Sequence, residues 1–78
     1  MHLKTLKDVA VGDTVYRFFA GIPTPMLLQV TAVTKDRIIC SEWEFDKRTG
    51  AEIDEFFGWG PALTGTYIRA VPFHIKHN

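Results

Sequence analysis

Trp43-Glu44-Phe45-Asp46-Lys47-Arg48-Thr49-Gly50-Ala51-Glu52-Ile53-Asp54 is the stretch whose reading decides the fold. Aromatic and β-branched residues alternate with acids on both sides of a polar segment that ends in glycine, which is the pattern of a β-hairpin. With Arg48-Thr49-Gly50 as a three-residue loop and Gly50 left-handed, Asp46 faces Glu52, Phe45 faces Ile53 and Glu44 faces Asp54. That register puts the two apolar residues on one face and four carboxylates on the other. Sliding by one residue pairs Phe45 with Glu52 and mixes the faces, so the first register is the one expected. Gly50 is required because a side chain clashes at positive φ.

Working toward the N-terminus, Arg37-Ile38-Ile39-Cys40-Ser41 reads as a strand. A Lys35-Asp36 turn joins it to a longer strand over Met26–Thr34, in which Leu28, Val30 and Ala32 alternate with Leu27, Gln29, Thr31 and Val33. Ala20-Gly21-Ile22-Pro23-Thr24-Pro25 is expected to be an extended loop, since each proline removes a ladder donor. Thr14–Phe19 is a strand, entered from the turn pair Gly12-Asp13. Before it, Thr5-Leu6-Lys7-Asp8 can cap a single helical turn, with Thr5 accepting from the Asp8 amide. Toward the C-terminus, Phe56-Phe57-Gly58-Trp59-Gly60-Pro61 breaks the alternation and reads as a loop holding large aromatics. Thr66–Val71 is the last strand.

About five short strands with at most one helical turn predict an all-β chain closed into a small barrel, which also removes exposed sheet edges. The arrangement resembles an SH3-like barrel. Val11-Gly12-Asp13-Thr14-Val15 is similar to the opening of many such barrels, and the Pro-rich loop lies where a long first loop usually falls. More narrowly, Trp43-x-Phe45-Asp46-x-x-Thr49-Gly50-x-Glu52-Ile53-Asp54 followed by Gly58-Trp59 resembles small bacterial proteins of uncharacterised role. The resemblance implies a five-stranded SH3-like barrel and no particular activity.

Composition bounds the rest. The 78 residues hold nine basic and nine acidic side chains, 46% hydrophobic residues and one cysteine. One domain is expected over 1–78, with a core over about 9–71 and a tail over 72–78. Cys40 can form neither an internal disulfide nor a cysteine cage and reads as a small core residue. The first residues lack the apolar run of a secretory signal and no segment approaches a membrane span, so a cytoplasmic chain without membrane partners is expected. Residues 42–55 carry six acids against two bases, a local balance of minus four. Such an acidic centre, without a concentrated basic stripe, disfavours nucleic acid. The runner-up reading, a nucleic-acid- or ribosome-associated barrel, would need Arg17, Lys35, Arg37 and Arg69 to line up.

No catalytic residue, cofactor site or metal site is assigned. The face of Glu44, Asp46, Glu52 and Asp54 is expected to be offset by neighbouring basic side chains, solvent screening, a bound cation or a basic partner, since like charges opposite one another repel. His2, His74 and His77 lie near the termini, and Gly58-Trp59-Gly60-Pro61 lacks the residues of a phosphate loop. Trp43 is expected to be largely buried. A small barrel cannot internalise both members of Phe18-Phe19 and of Phe56-Phe57, because adjacent strand residues point to opposite faces. These four, with Pro23, Pro25 and Trp59, are therefore the expected partner-binding residues. The expected function is a non-enzymatic module for a protein or peptide, or for a second copy of itself as a homodimer.

Overall fold

The computed structural model describes residues 5–55, 57–60 and 65–72. A 3-10 turn over Leu6–Asp8 precedes seven strands: β1 Thr14–Phe19, β2 Ile22–Gln29, β3 Ala32–Val33, β4 Arg37–Cys40, β5 Trp43–Asp46, β6 Glu52–Ile53 and β7 Tyr67–Arg69. They form two antiparallel sheets, ordered β2-β1-β7 and β3-β4-β5-β6. The all-β expectation holds. The expected five-stranded closed barrel is corrected: the described residues form seven strands in two sheets, neither of which closes on itself.

The sheets meet at two places. Val30 N–H donates to the Asp13 carbonyl and so continues the β1–β2 ladder, whereas Thr31 N–H donates to Ile39 in the other sheet. The chain therefore changes sheets between Val30 and Thr31, which divides the single strand expected over Met26–Thr34. The second meeting point is a bridge from Ala51 to Tyr67, flanked by Glu52 N–H to Thr66 O and Ile68 N–H to Gly50 O. Val15, Val30, Ile38, Cys40, Phe45 and Ile68 fill the space between the sheets. Full burial of side chains of this kind stabilises by ~1.5–3 kcal/mol each, and this row is the main source of stability.

Pro23 and Pro25 lie within β2, not in a loop. Phe19 pairs with Ile22 and Arg17 with Met26, so Pro23, Thr24 and Pro25 together oppose Phe18 alone. The prolines fit because β2 is an edge strand and the bulge places no ladder demand on their missing N–H groups. The two-residue turn Ala20-Gly21 needs Gly21 at φ +79. The helical turn at Leu6–Asp8 forms, but its capping differs from that expected: the Asp8 amide donates to the Thr5 backbone carbonyl, and the Thr5 hydroxyl donates to the Asp8 carboxylate.

The central hairpin takes the register that sequence disfavours: Phe45 pairs with Glu52 and Glu44 with Ile53. Its loop has four residues, Lys47 to Gly50, closed by Asp46 N–H to Ala51 O and Gly50 N–H to Asp46 O. Asp46 shapes it, its Oδ1 accepting from the Arg48 and Thr49 amides at 2.9 and 2.8 Å. Gly50 is at φ +82, as expected. A second loop of the same length follows eight residues on. Asp54 and Trp59 exchange both backbone hydrogen bonds across it, and Gly58 sits at φ +72.

Candidate functional site

The register shift carries Glu52 inward. Ile38, Phe45 and Glu52 share one inward row across β4, β5 and β6, and Val15 and Arg17 continue the inward row of β1. Arg17 and Glu52 therefore meet between the sheets, 8% and 3% exposed. Arg17 Nη2 donates to Glu52 Oε1, and Arg17 Nε donates to Thr66 Oγ1 at 3.1 Å. The Thr66 hydroxyl in turn donates to the same Glu52 oxygen. The guanidinium carbon lies 4.8 Å from the ring centres of both Phe19 and Trp43. A planar cation between two aromatic faces, with its edges hydrogen-bonded, is satisfied in a site where water is scarce. Trp43 keeps only a minor part of its surface exposed and packs against the core, in line with the burial expected of it, while its ring roofs the ion pair.

The expected four-carboxylate face does not exist. Glu52 is buried on Arg17, Glu44 pairs with Arg37 at 3.0 Å, and Asp46 and Asp54 accept from the amides of their own loops. Hydrogen bonds from the Thr49 and Arg48 amides and the Thr49 hydroxyl, with the Arg48 charge, hold the Asp46 carboxyl below its ordinary value, although burial, the largest single influence, pushes upward. Cys40 is a core residue, 2% exposed; burial raises its thiol pKa, against a smaller opposing pull from Arg17. Such a thiol is a poor nucleophile. Among the described residues no three His, Cys, Asp or Glu side chains come together as a metal group, and no helix is long and apolar enough to cross a membrane. His2, His74 and His77 lie outside the described residues.

The expected partner-binding residues separate into distinct places. Phe18, Phe19 and Pro23, with Ile22, Tyr67 and Pro72, line an open trough of about 650 Å³ at one end of the three-stranded sheet. Phe18 is its floor, 6% exposed and stacked on Tyr67 at 5.5 Å. Ile22 stands at the rim, 54% exposed. Phe57 and Trp59 stack on each other at 5.0 Å on the second hairpin loop. Trp59 is half-buried over Gly65, where an added Cβ would come within 2.5 Å of its ring, while Phe57 is exposed. Pro25 is half-buried in β2 outside the trough, and Phe56 lies outside the described residues.

Two further depressions were not foreseen. Glu42, Glu44, Glu52, Asp54 and Glu55, with Trp43, Ile53 and the one cation Arg37, line an acidic groove of about 210 Å³. Lys7, Lys47, Arg48 and Arg69 surround a cavity of about 460 Å³ whose floor includes Leu6, Ile68, Ala70 and Val71. The first was partly legible in the acid-rich 42–55 segment. The second draws its cations from three segments far apart in sequence, so no local pattern announces it. Comparison of the chain with protein-family models, with curated proteins and with solved structures gave no match.

Proposed function

We propose that this chain is a non-catalytic, SH3-like module that binds a protein or peptide in the trough formed by Phe18, Phe19, Ile22, Pro23, Tyr67 and Pro72. The reading of the fold as an opened SH3-like barrel is supported by the strand that passes from one sheet to the other at Val30–Thr31 and by the Ala51–Tyr67 bridge. The observation that carries the functional reading is the concentration of three aromatics and two prolines in one open depression, a composition suited to anchoring an apolar side chain. Pro23 and Pro25 on β2 discourage strand addition at that edge, so the partner docks through side chains.

Arg17 links this trough to the acidic groove, because Phe19 lines one, Trp43 lines the other, and both rings hold the same guanidinium. The matching ligand has an apolar anchor followed by Lys or Arg, which the acidic groove attracts. The nucleic-acid alternative loses support: Arg17 is buried on Glu52 and Arg37 is paired with Glu44, so two of its four required cations are neutralised.

The test is selection from a random peptide library on the immobilised protein, with selected peptides mapped by amide NMR. Shifts centred on Phe19, Ile22 and Tyr67, and loss of binding in Ile22→Asp, support the reading. Shifts centred elsewhere, or unchanged binding by a folded Ile22→Asp variant, overturn it. Sedimentation over a concentration series distinguishes a second copy as the occupant, because self-association would then weaken in the same variant.

A further inference from the structure

The cavity between the N-terminal turn, the central hairpin loop and β7 is independent of the trough. Its lining contains four cations, Lys7, Lys47, Arg48 and Arg69, and no carboxylate. Among the described residues none of the four makes an ion pair. Asp46, the carboxylate on which Arg48 acts, is engaged by the amides of its own loop. Four like charges around one concavity repel one another, and an anion placed among them relieves that repulsion. The floor is of a different character: Leu6, Ala70 and Val71 present aliphatic surface beside the buried Ile68, with no aromatic ring among the lining residues. Bases of single-stranded nucleic acid need aromatic platforms, so a polymer of that kind is not the occupant this cavity fits. A volume of about 460 Å³ lies in the range of small-ligand sites.

From this pairing of a cationic rim with an aliphatic floor, we infer that the cavity binds a small amphipathic anion: an acyl or similar apolar body bearing a carboxylate, sulfonate or phosphate head. The head sits among Lys7, Lys47 and Arg48, with Arg69 at the margin, its guanidinium carbon 5.2 Å from the Tyr67 ring centre. The body lies on Leu6, Ala70 and Val71.

Decanoate, anilinonaphthalene sulfonate, its uncharged counterpart phenylnaphthylamine and inorganic phosphate serve as probes on the full chain. The expected result is that decanoate and the sulfonate compete for one site and shift the amides of Leu6, Thr49, Ile68 and Ala70. Their binding weakens with added salt, and the double variant Lys47→Gln, Arg48→Gln binds them roughly tenfold or more weakly, the loss of at least one charge-assisted contact. A control variant, Thr24→Glu with Gln29→Glu, changes net charge by the same amount on exposed β2 positions and keeps full binding. Thermal midpoints confirm that both variants are folded. Equal binding of the uncharged probe, or equal weakening in both variants, overturns the inference. So does inorganic phosphate competing as strongly as decanoate, because the apolar floor then contributes nothing.

Discussion

Arg17 on β1 and Glu52 on β6 form a buried ion pair that ties the three-stranded sheet to the four-stranded one. The pair sits at the end of an otherwise apolar interior, roofed by Phe19 and Trp43. An apolar pair of equal volume could be as stable. The ion pair does something an apolar pair cannot: it makes one hairpin register much better than its neighbour, since a slip by one residue would leave Arg17 buried without a counter-charge.

Removing one partner should therefore cost far more than removing both. Glu52→Leu or Arg17→Met alone should destabilise by about 3–5 kcal/mol, because each leaves an unpaired buried group. Arg17→Met with Glu52→Leu should recover most of that loss. Urea denaturation of the two single variants and the double variant forms a double-mutant cycle; strictly additive losses would show that the two residues do not act as a unit.

Gly50 and Gly58 occupy equivalent places in two loops and should respond differently to alanine. Both have positive φ, which costs an L-residue ~1–2 kcal/mol. At Gly58 nothing lies within 4 Å of the added Cβ, so the loss should stay near that figure. At Gly50 the Cβ would fall 2.3 Å from the Ile68 carbonyl oxygen, where the hairpin crosses β7. Gly50→Ala should be clearly the worse of the two, and equal midpoints in thermal unfolding would refute the close approach.

Ser41 is the one non-glycine among the described residues with positive φ, at +59. It begins the two-residue turn between β4 and β5, a place ordinarily given to glycine. Its amide donates to Thr31 Oγ1 at 2.9 Å, a contact glycine keeps. Ser41→Gly should therefore raise stability by about 0.5–1 kcal/mol. A fall in the urea midpoint would mean that the serine hydroxyl matters more than the backbone strain.

Asp46 makes stability depend on acid. Its carboxyl is held below the ordinary value in the folded chain, so the stabilisation is fully present above pH ~4 and disappears as pH falls further. Asp46→Asn keeps an oxygen for the Arg48 and Thr49 amides but cannot titrate. The variant should lose less stability than the parent between pH 4 and pH 2.5, read from urea midpoints in that acid range. Parallel curves would show that the loop does not prefer the ionised acid.

Features set by neighbouring residues were legible in the chain alone. The strand Thr14–Phe19, the Lys35-Asp36 turn, the burial of Cys40 and the positive φ of Gly50 follow from alternation and turn chemistry within a few residues. The hairpin register did not. By local pattern Glu52 belongs in solvent, and only Arg17, 35 positions earlier, makes an inward carboxylate favourable. Pro23 and Pro25 read as a loop because a ladder needs their missing amides; the tertiary structure placed them in an edge-strand bulge where no such need arises. Tertiary packing likewise separated the six expected contact residues that are described, seating Phe18 under the trough and Trp59 over Gly65, and gathered Lys7, Lys47, Arg48 and Arg69 around one cavity. Sequence periodicity reports which face a side chain takes relative to its neighbours. Charge pairing across sheets depends on residues brought together only when the chain has closed its long loops.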